Sequence, residues 1–324
     1  MVAALVEASR ESNGDLPLVV VVGATASGKT ALAIRLAEEF GGEVVSCDSV
    51  AVYREMEIGT AKPSVEERRL VPHHMIDVVQ PDEGYTAGDY SRGAREALAG
   101  ISERGRLPIV AGGTGLYLRA MIEGLFPAPK IDPELRARLR ARAAERGAGY
   151  LHGVLRRLDR AAAEAIHAND VPKVVRAIEV SLAAREPLTE QWEKGRDALT
   201  GYRILRVGLA PQREELYARI NLRAAAMFER GLVEETERLV ERYGYECTPL
   251  GSLGYAQAIA VLRGEMTREA AIAQAQQGHR NYAKRQGTWF RKDQAIGWIE
   301  GCGEEADVVQ GVKKQVRDWL SSGR

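Results

Sequence analysis

The chain has 324 residues, 45% of them hydrophobic, and carries 45 basic and 45 acidic side chains. That is apolar material for a sizeable core and length for two domains, or one domain with a large insertion. Zero net charge argues against a generally basic nucleic-acid coat but leaves room for local basic patches.

Residues 17–22, "PLVVVV", read as a fully buried strand because the apolar run does not alternate. "GATASGKT" (23–30) follows and opens a helix expected from about Gly28 to Phe40. "GEVVSCD" is a second short strand ending in Asp48, and "HHMIDVV" is a candidate third. A helix is expected over 87–103, and "LPIVAGG" is another buried strand. Strands alternating with helices imply βαβ units and a parallel sheet, with a ligand at the carboxyl ends of the strands. Thr25, Asp48 and Thr114 follow such ends.

The pattern changes near residue 123, and to about 200 no buried strand is legible. Asp132 and Pro133 have the chemistry of a helix N-cap and first helical residue. "YRILRVGLA" (202–210) restores a strand, helices follow, and "QAIGWIE" is a possible last strand. The expected fold class is therefore α/β: a P-loop core with a mostly parallel sheet flanked by helices, plus an all-helical insertion. The core is discontinuous, 1–122 and 201–324, around an insertion at 123–200.

No apolar run approaches the ~20 residues a membrane helix needs. The first 16 residues lack a signal-peptide apolar stretch. Cys47, Cys247 and Cys302 match no zinc spacing. A soluble, reduced, cytoplasmic protein is expected. Charge is uneven: between Leu135 and Arg160 there are eight Arg against Glu145 and Asp159. "HRNYAKRQGTWFRK" carries five Lys or Arg and no acid. Solvated helix faces or two surfaces facing a polyanion both account for this.

Gly23 and Gly28-Lys29-Thr30, between a buried strand and a helix, form the phosphate-loop pattern. Successive amides and the helix N-terminus bind an anion, Lys29 adds a point charge, and the Thr30 hydroxyl is placed for Mg²⁺. Asp48, near that loop, can accept a proton from a nucleophile or serve a metal or a helix cap. On a strand, His73 and His74 would point to opposite faces, so one shared metal is not expected. "GGTG" (112–115) is a tight turn or a close backbone approach to a ligand, with the Thr114 hydroxyl facing it. Tyr282, Gln286 and Trp289 are either one packed helix face or a base-stacking surface among cations. The loop alone also fits an ATPase or a small-molecule kinase.

Taken together, these stretches resemble the tRNA dimethylallyltransferases (tRNA isopentenyltransferases). The resemblance rests on "GATASGKT", "DSVAVYREMEIGTAKP", "HHMID", "GGTGLYLRAM", "IHANDVPKVVRAIEV", "LYARINLRAAAMFERGLVEE", "LGYAQAI" and "YAKRQGTWFR", in that order. It implies transfer of a dimethylallyl group from its diphosphate to the exocyclic amine of the adenine just 3′ of the anticodon. Gly23, Ala24, Thr25, Ala26, Ser27, Gly28, Lys29 and Thr30 would hold the diphosphate, with Mg²⁺ on Thr30. Asp48 would be the base, with Thr25 and Arg223 also catalytic, although Arg219 lies one turn earlier. Asp48, Ser49, Val50, Ala51, Thr114, Arg136, Pro172, Lys173, Arg176, Gly251, Gly254, Tyr255, Lys284, Arg285, Gln286, Trp289 and Arg291 would contact tRNA. Partners would be a tRNA anticodon stem-loop and dimethylallyl diphosphate, with no membrane and a monomeric protein. ATP would bind at most as a charge mimic. Departures from the family pattern are Ala24 for Pro, Ala51 for Gln, Arg160 for Pro, Lys173 for Arg, and Gly251 where Arg is common. A P-loop small-molecule kinase and an adenine-nucleotide isopentenyltransferase are the rival readings.

Overall fold

A computed structural model describes residues 15–322 apart from 127, 128, 130, 131 and 194. In the first part of the chain β1 (Leu16–Gly23), α1 (Lys29–Phe40), β2 (Gly42–Cys47), α2 (Val65–Leu70), β3 (His73–His74), α3 (Ala87–Glu103), β4 (Leu107–Gly112) and α4 (Gly115–Ile122) alternate. After residue 198 come β5 (Tyr202–Ala210), α10 (Arg213–Glu229), α11 (Leu232–Tyr243), a 3-10 turn (Thr248–Gly251), α12 (Tyr255–Leu262), α13 (Arg268–Phe290), β6 (Ile296–Glu300) and α14 (Ala306–Ser321). The six strands form one sheet in the order β3-β2-β4-β1-β5-β6. All neighbours are parallel, so every crossover returns over a face.

β1 is central because four consecutive valines are apolar on both faces. Leu32, Ala33, Leu36, Ala37 and Phe40 of α1 and Val308, Val309, Val312, Val316 and Leu320 of α14 share a core with Val19, Val21, Val44 and Ile109 of the sheet. Helix α3 begins at a reciprocal Thr86/Asp89 capping box. Among the described residues no helix is long and apolar enough to cross a membrane.

The structure differs from the sequence reading in two places. "HHMIDVV" is not a continuous strand: only His73 and His74 pair with β2. Met75 (φ 62°) and Asp77 (φ 55°) are left-handed, which turns the chain out of the sheet. Asp77 then pairs with Lys62 Nζ at 2.6 Å and Arg68 Nη1 at 2.7 Å, tying the 50–62 loop to the end of β3. The final helix α14 was not anticipated after "QAIGWIE".

Backbone packing separates two compact units: the chain up to Met121 with the chain from Leu199, and Ile122–Ala198. The second holds α5 (Pro133–Arg146), α6 (Ala148–Leu158), α7 (Arg160–Ala165), α8 (Val171–Ala184) and α9 (Leu188–Glu193). Asp132 caps α5 through the N–H groups of Glu134 and Leu135, with Pro133 next. Leu151, Leu155, Val174, Val175 and Ile178 form this unit's own core.

Candidate active site

The site starts where β1 ends. Gly28 adopts φ 85° as the N-cap of α1, and a Cβ there would lie 2.6 Å from the Gly303 nitrogen. Only glycine allows this turn and approach. The first N–H groups of α1 lack intrahelical acceptors, and the helix dipole adds positive potential. Ser27 Oγ is buried with no hydrogen-bond partner among the described residues. Lys29 Nζ donates to Ala24 O at 2.6 Å. Burial, and then the neighbouring Arg223 charge, lower the Lys29 pKa to about 8. The loop is braced from behind: Gly303 N donates to Ser27 O at 2.9 Å, and Arg219 bonds both Ala26 O (2.9 Å) and Glu304 Oε1 (2.7 Å). Arg219 is thus committed to holding the loop. Arg223, one turn on, lines the site beside Lys29 and Asp48 and joins no ion pair among the described residues.

Asp48 follows the last residue of β2. Its Oδ1 accepts from Val50 N (2.8 Å) and Ala51 N (3.1 Å), which orients the carboxylate. Thr114 Oγ1 accepts from Ser49 N at 3.0 Å, while Gly113 N and Thr114 N donate to Cys47 O, fixing the end of β4 against the end of β2. Burial and the Asp48 charge push the Tyr282 phenol up to about 12, so it stays neutral.

Two cavities meet here. One chamber is lined by Thr25, Lys29, Thr30, Ser46, Ala51, His73 and Gln286. A wider one is lined by Ser49, Val50, Gly59, Gly251, Leu253, His279 and Arg285. Thr25, Asp48, Thr60, Arg223 and Tyr282 line both. A chamber beside the 23–30 loop and a second, wider space are therefore joined at one carboxylate.

The residues assigned to tRNA by resemblance fall into distinct groups. Lys284, Arg285, Trp289 and Arg291 are exposed on or just after α13, and the Arg119 guanidinium lies 5.0 Å from the Trp289 ring centre. Gly251 is exposed, whereas Gly254 is buried. Tyr255 is turned inward and is 0% exposed. Its hydroxyl donates to Glu235 Oε1 at 2.6 Å and accepts from Gly59 N at 3.3 Å. Gln286 also faces inward, with Oε1 accepting from Thr25 N and Nε2 donating to Gly113 O. In the helical unit Pro172 and Lys173 are exposed at the start of α8. Arg136 instead makes a two-point bond to buried Glu179, 2.6 Å at both nitrogens, and Arg176 joins the same carboxylate at 3.4 Å.

Glu235 went unrecognised in the sequence. It accepts from the N–H groups of Glu57 and Ile58, so it holds the loop that supplies Gly59 and Thr60 to the site. The signal was present: Leu232, Glu235, Thr236 and Leu239 share one buried helix stripe, and a carboxylate there needs buried donors. Lys62, buried in "GTAKP", was likewise passed over and donates to Tyr53 O at 2.6 Å.

The family model described as IPP transferase matches residues 51–293. The chain belongs to the IPP transferase family. A tRNA dimethylallyltransferase from Koribacter versatilis is 61% identical over 292 residues, 90% of this chain and 95% of the relative. One from Solibacter usitatus is 51% identical over 306 residues, 94% and 99% of the two chains. Among solved structures, the full-length tRNA isopentenylpyrophosphate transferase of Bacillus halodurans superposes with a TM-score of 0.69 at 36% identity, covering 95% of this chain and 97% of that one. A eukaryotic dimethylallyltransferase acting on tRNA gives 0.81 at 25% identity, covering 94% and 80%. Parallel sheet, phosphate loop and helical crossovers are thus the IPP transferase fold.

Proposed function

We propose that the protein transfers a dimethylallyl group from dimethylallyl diphosphate to the exocyclic amine of the adenine that follows the anticodon in tRNA. The observation that carries this reading is the pair of chambers meeting at Asp48, one with the phosphate loop and one open to a second ligand. Relatives named for this chemistry support it.

In this reading the diphosphate rests on the 23–30 loop, held by its amides, Lys29 and Arg223. The adenine is extruded from the anticodon loop into the wider chamber. There its amine is held in line with the allylic carbon. The N–C bond forms as the C–O bond breaks. The electron pair leaves with the diphosphate oxygen, and the amine proton passes to Asp48. Lys29 and Arg223 neutralise the departing charge. The Thr30 hydroxyl, which lines the chamber beside the phosphate loop, would hold Mg²⁺, an ion that takes oxygen ligands. Bound there, the ion would supply further charge neutralisation on the leaving group. Lys284, Arg285, Trp289, Arg291 and the exposed cations of the helical unit would meet the RNA. Arg136 and Arg176 would serve that unit from within, through Glu179. The protein would act in the cytoplasm as a monomer.

The test is stoichiometric. Protein, labelled donor and an anticodon stem-loop should release one diphosphate for each group that enters RNA. RNA-independent phosphate transfer from ATP would restore the kinase reading, and equal transfer to free adenine nucleotides the other rival.

A further inference from the structure

We propose that Gln286 is a positioning residue for the transfer reaction: its carboxamide holds the phosphate loop and the β4 turn in register around Asp48. The proposal rests on the functional reading above. Gln286 is 6% exposed and lies near the C-terminal end of α13, one turn before Phe290. Its Oε1 accepts from Thr25 N at 2.8 Å, across 261 residues of sequence. Its Nε2 donates to Gly113 O at 3.0 Å. The orientation is dictated, because the two partners are a donor and an acceptor and only one assignment of the amide satisfies both.

The contact is built for this side chain. A Cβ at position 113 would fall 2.1 Å from Gln286 Nε2, so glycine there is what lets the carboxamide reach the turn. Beyond it, Gly113 N and Thr114 N both donate to Cys47 O. One side chain thereby ties together the ends of β1, β4 and β2. Those ends present Thr25, Thr114 and Asp48. Thr25 lines both chambers, so a shift of its backbone changes the donor seat and the joint with the acceptor space together.

The same helix carries the exposed Lys284, Arg285 and Trp289. One helix thus carries both the side chains proposed to meet RNA and the carboxamide that sets the phosphate loop. Gln286 acts through Thr25 and Gly113, without touching RNA.

Two near-isosteric variants test this. Gln286→Leu keeps bulk and loses both bonds. Gln286→Glu keeps an acceptor for Thr25 N but places an oxygen against Gly113 O. Each should lower the single-turnover transfer rate, with donor and RNA saturating, by about tenfold or more. The Kd for the anticodon stem-loop should stay within about twofold, because neither variant alters a group that meets RNA. Protonation gives the introduced carboxyl of Gln286→Glu a donor for Gly113 O again. Its rate relative to wild type should therefore recover as pH falls, while the Gln286→Leu ratio stays flat. Circular dichroism confirms folding, and if the leucine variant does not fold, the pH-dependent ratio of the glutamate variant decides. Weakened RNA binding with an unchanged saturating rate would overturn the proposal and make Gln286 an RNA contact. Wild-type rates in both variants would overturn it too. If wild-type protein binds inorganic diphosphate but transfers nothing, the functional reading fails. Weaker diphosphate binding by Gln286→Leu would then still support the clamp, and unchanged binding would overturn it.

Discussion

Asp48 is anchored at one oxygen by two backbone N–H groups, which leaves Oδ2 for an incoming amine. Asp48→Asn preserves an acceptor for Val50 and Ala51 but cannot take a proton. Single-turnover transfer should fall by about 10²–10⁴-fold while RNA affinity is retained; a near wild-type rate would remove Asp48 from the base role. Lys29 is a second residue with a sharp signature. Its pKa is lowered to about 8 by burial and Arg223, with Asp48, Cys47 and Glu304 acting the other way. A bound diphosphate favours the charged amine, so binding above that pH must draw in a proton. Affinity should be level below it and fall as pH rises through it, by up to about tenfold per unit. Calorimetry in buffers of different ionisation heats should show proton uptake a unit above pH 8 and none well below it. No uptake in either range would contradict the assignment. Lys29 and Asp48 were legible because both lie in contiguous motifs, Lys29 at the start of α1 and Asp48 just after β2. The roles of Gln286 and Arg219 were not, because their partners are far away in sequence and local spacing carries no trace of them.

At the scale of elements, α13 shows why composition alone left two readings open. Tyr282, Gln286 and Trp289 lie near one side of the helix, yet Gln286 is buried and Trp289 is 40% exposed. Buried and exposed positions divide along a single helix, and the proposed RNA contacts fall on the exposed ones. The 57–60 loop depends likewise on α11 and α12, through Glu235 and Tyr255. Tyr255→Phe should destabilise the protein by about 1–2 kcal/mol and speed hydrogen exchange at Ile58 and Gly59; unchanged exchange would mean that the phenol does not hold the loop. Helix α5 also has two sides. Arg136 is turned onto Glu179, which is 3% exposed, whereas Arg138, Arg140 and Arg142 face solvent. Neutralising Arg138 and Arg140 should flatten the salt dependence of tRNA binding by about 0.7–0.9 for each phosphate no longer neutralised. Arg136→Ala should act instead on folding of the helical unit, because it deprives a buried carboxylate of its main partner. An unchanged slope in the double variant would leave the outer arginines a solvated face.

Across the whole molecule, the alternation of apolar strands and helices was enough to read a parallel α/β sheet, because each strand lies within one contiguous run. The shortness of β3 was not readable: Met75 and Asp77 leave the sheet for left-handed turns that serve distant Lys62 and Arg68. The joint of two chambers at Asp48 was beyond the sequence as well, since it is assembled from β1, β2, α10 and α13. That joint carries the central claim, and mass spectrometry of the RNA tests it most directly. After incubation with dimethylallyl diphosphate, Mg²⁺ and an anticodon stem-loop, digestion should yield one five-carbon unit on the adenine 3′ of the anticodon and none elsewhere. Unmodified RNA recovered from protein that binds both substrates, or a phosphate group added in the presence of ATP, would contradict the account.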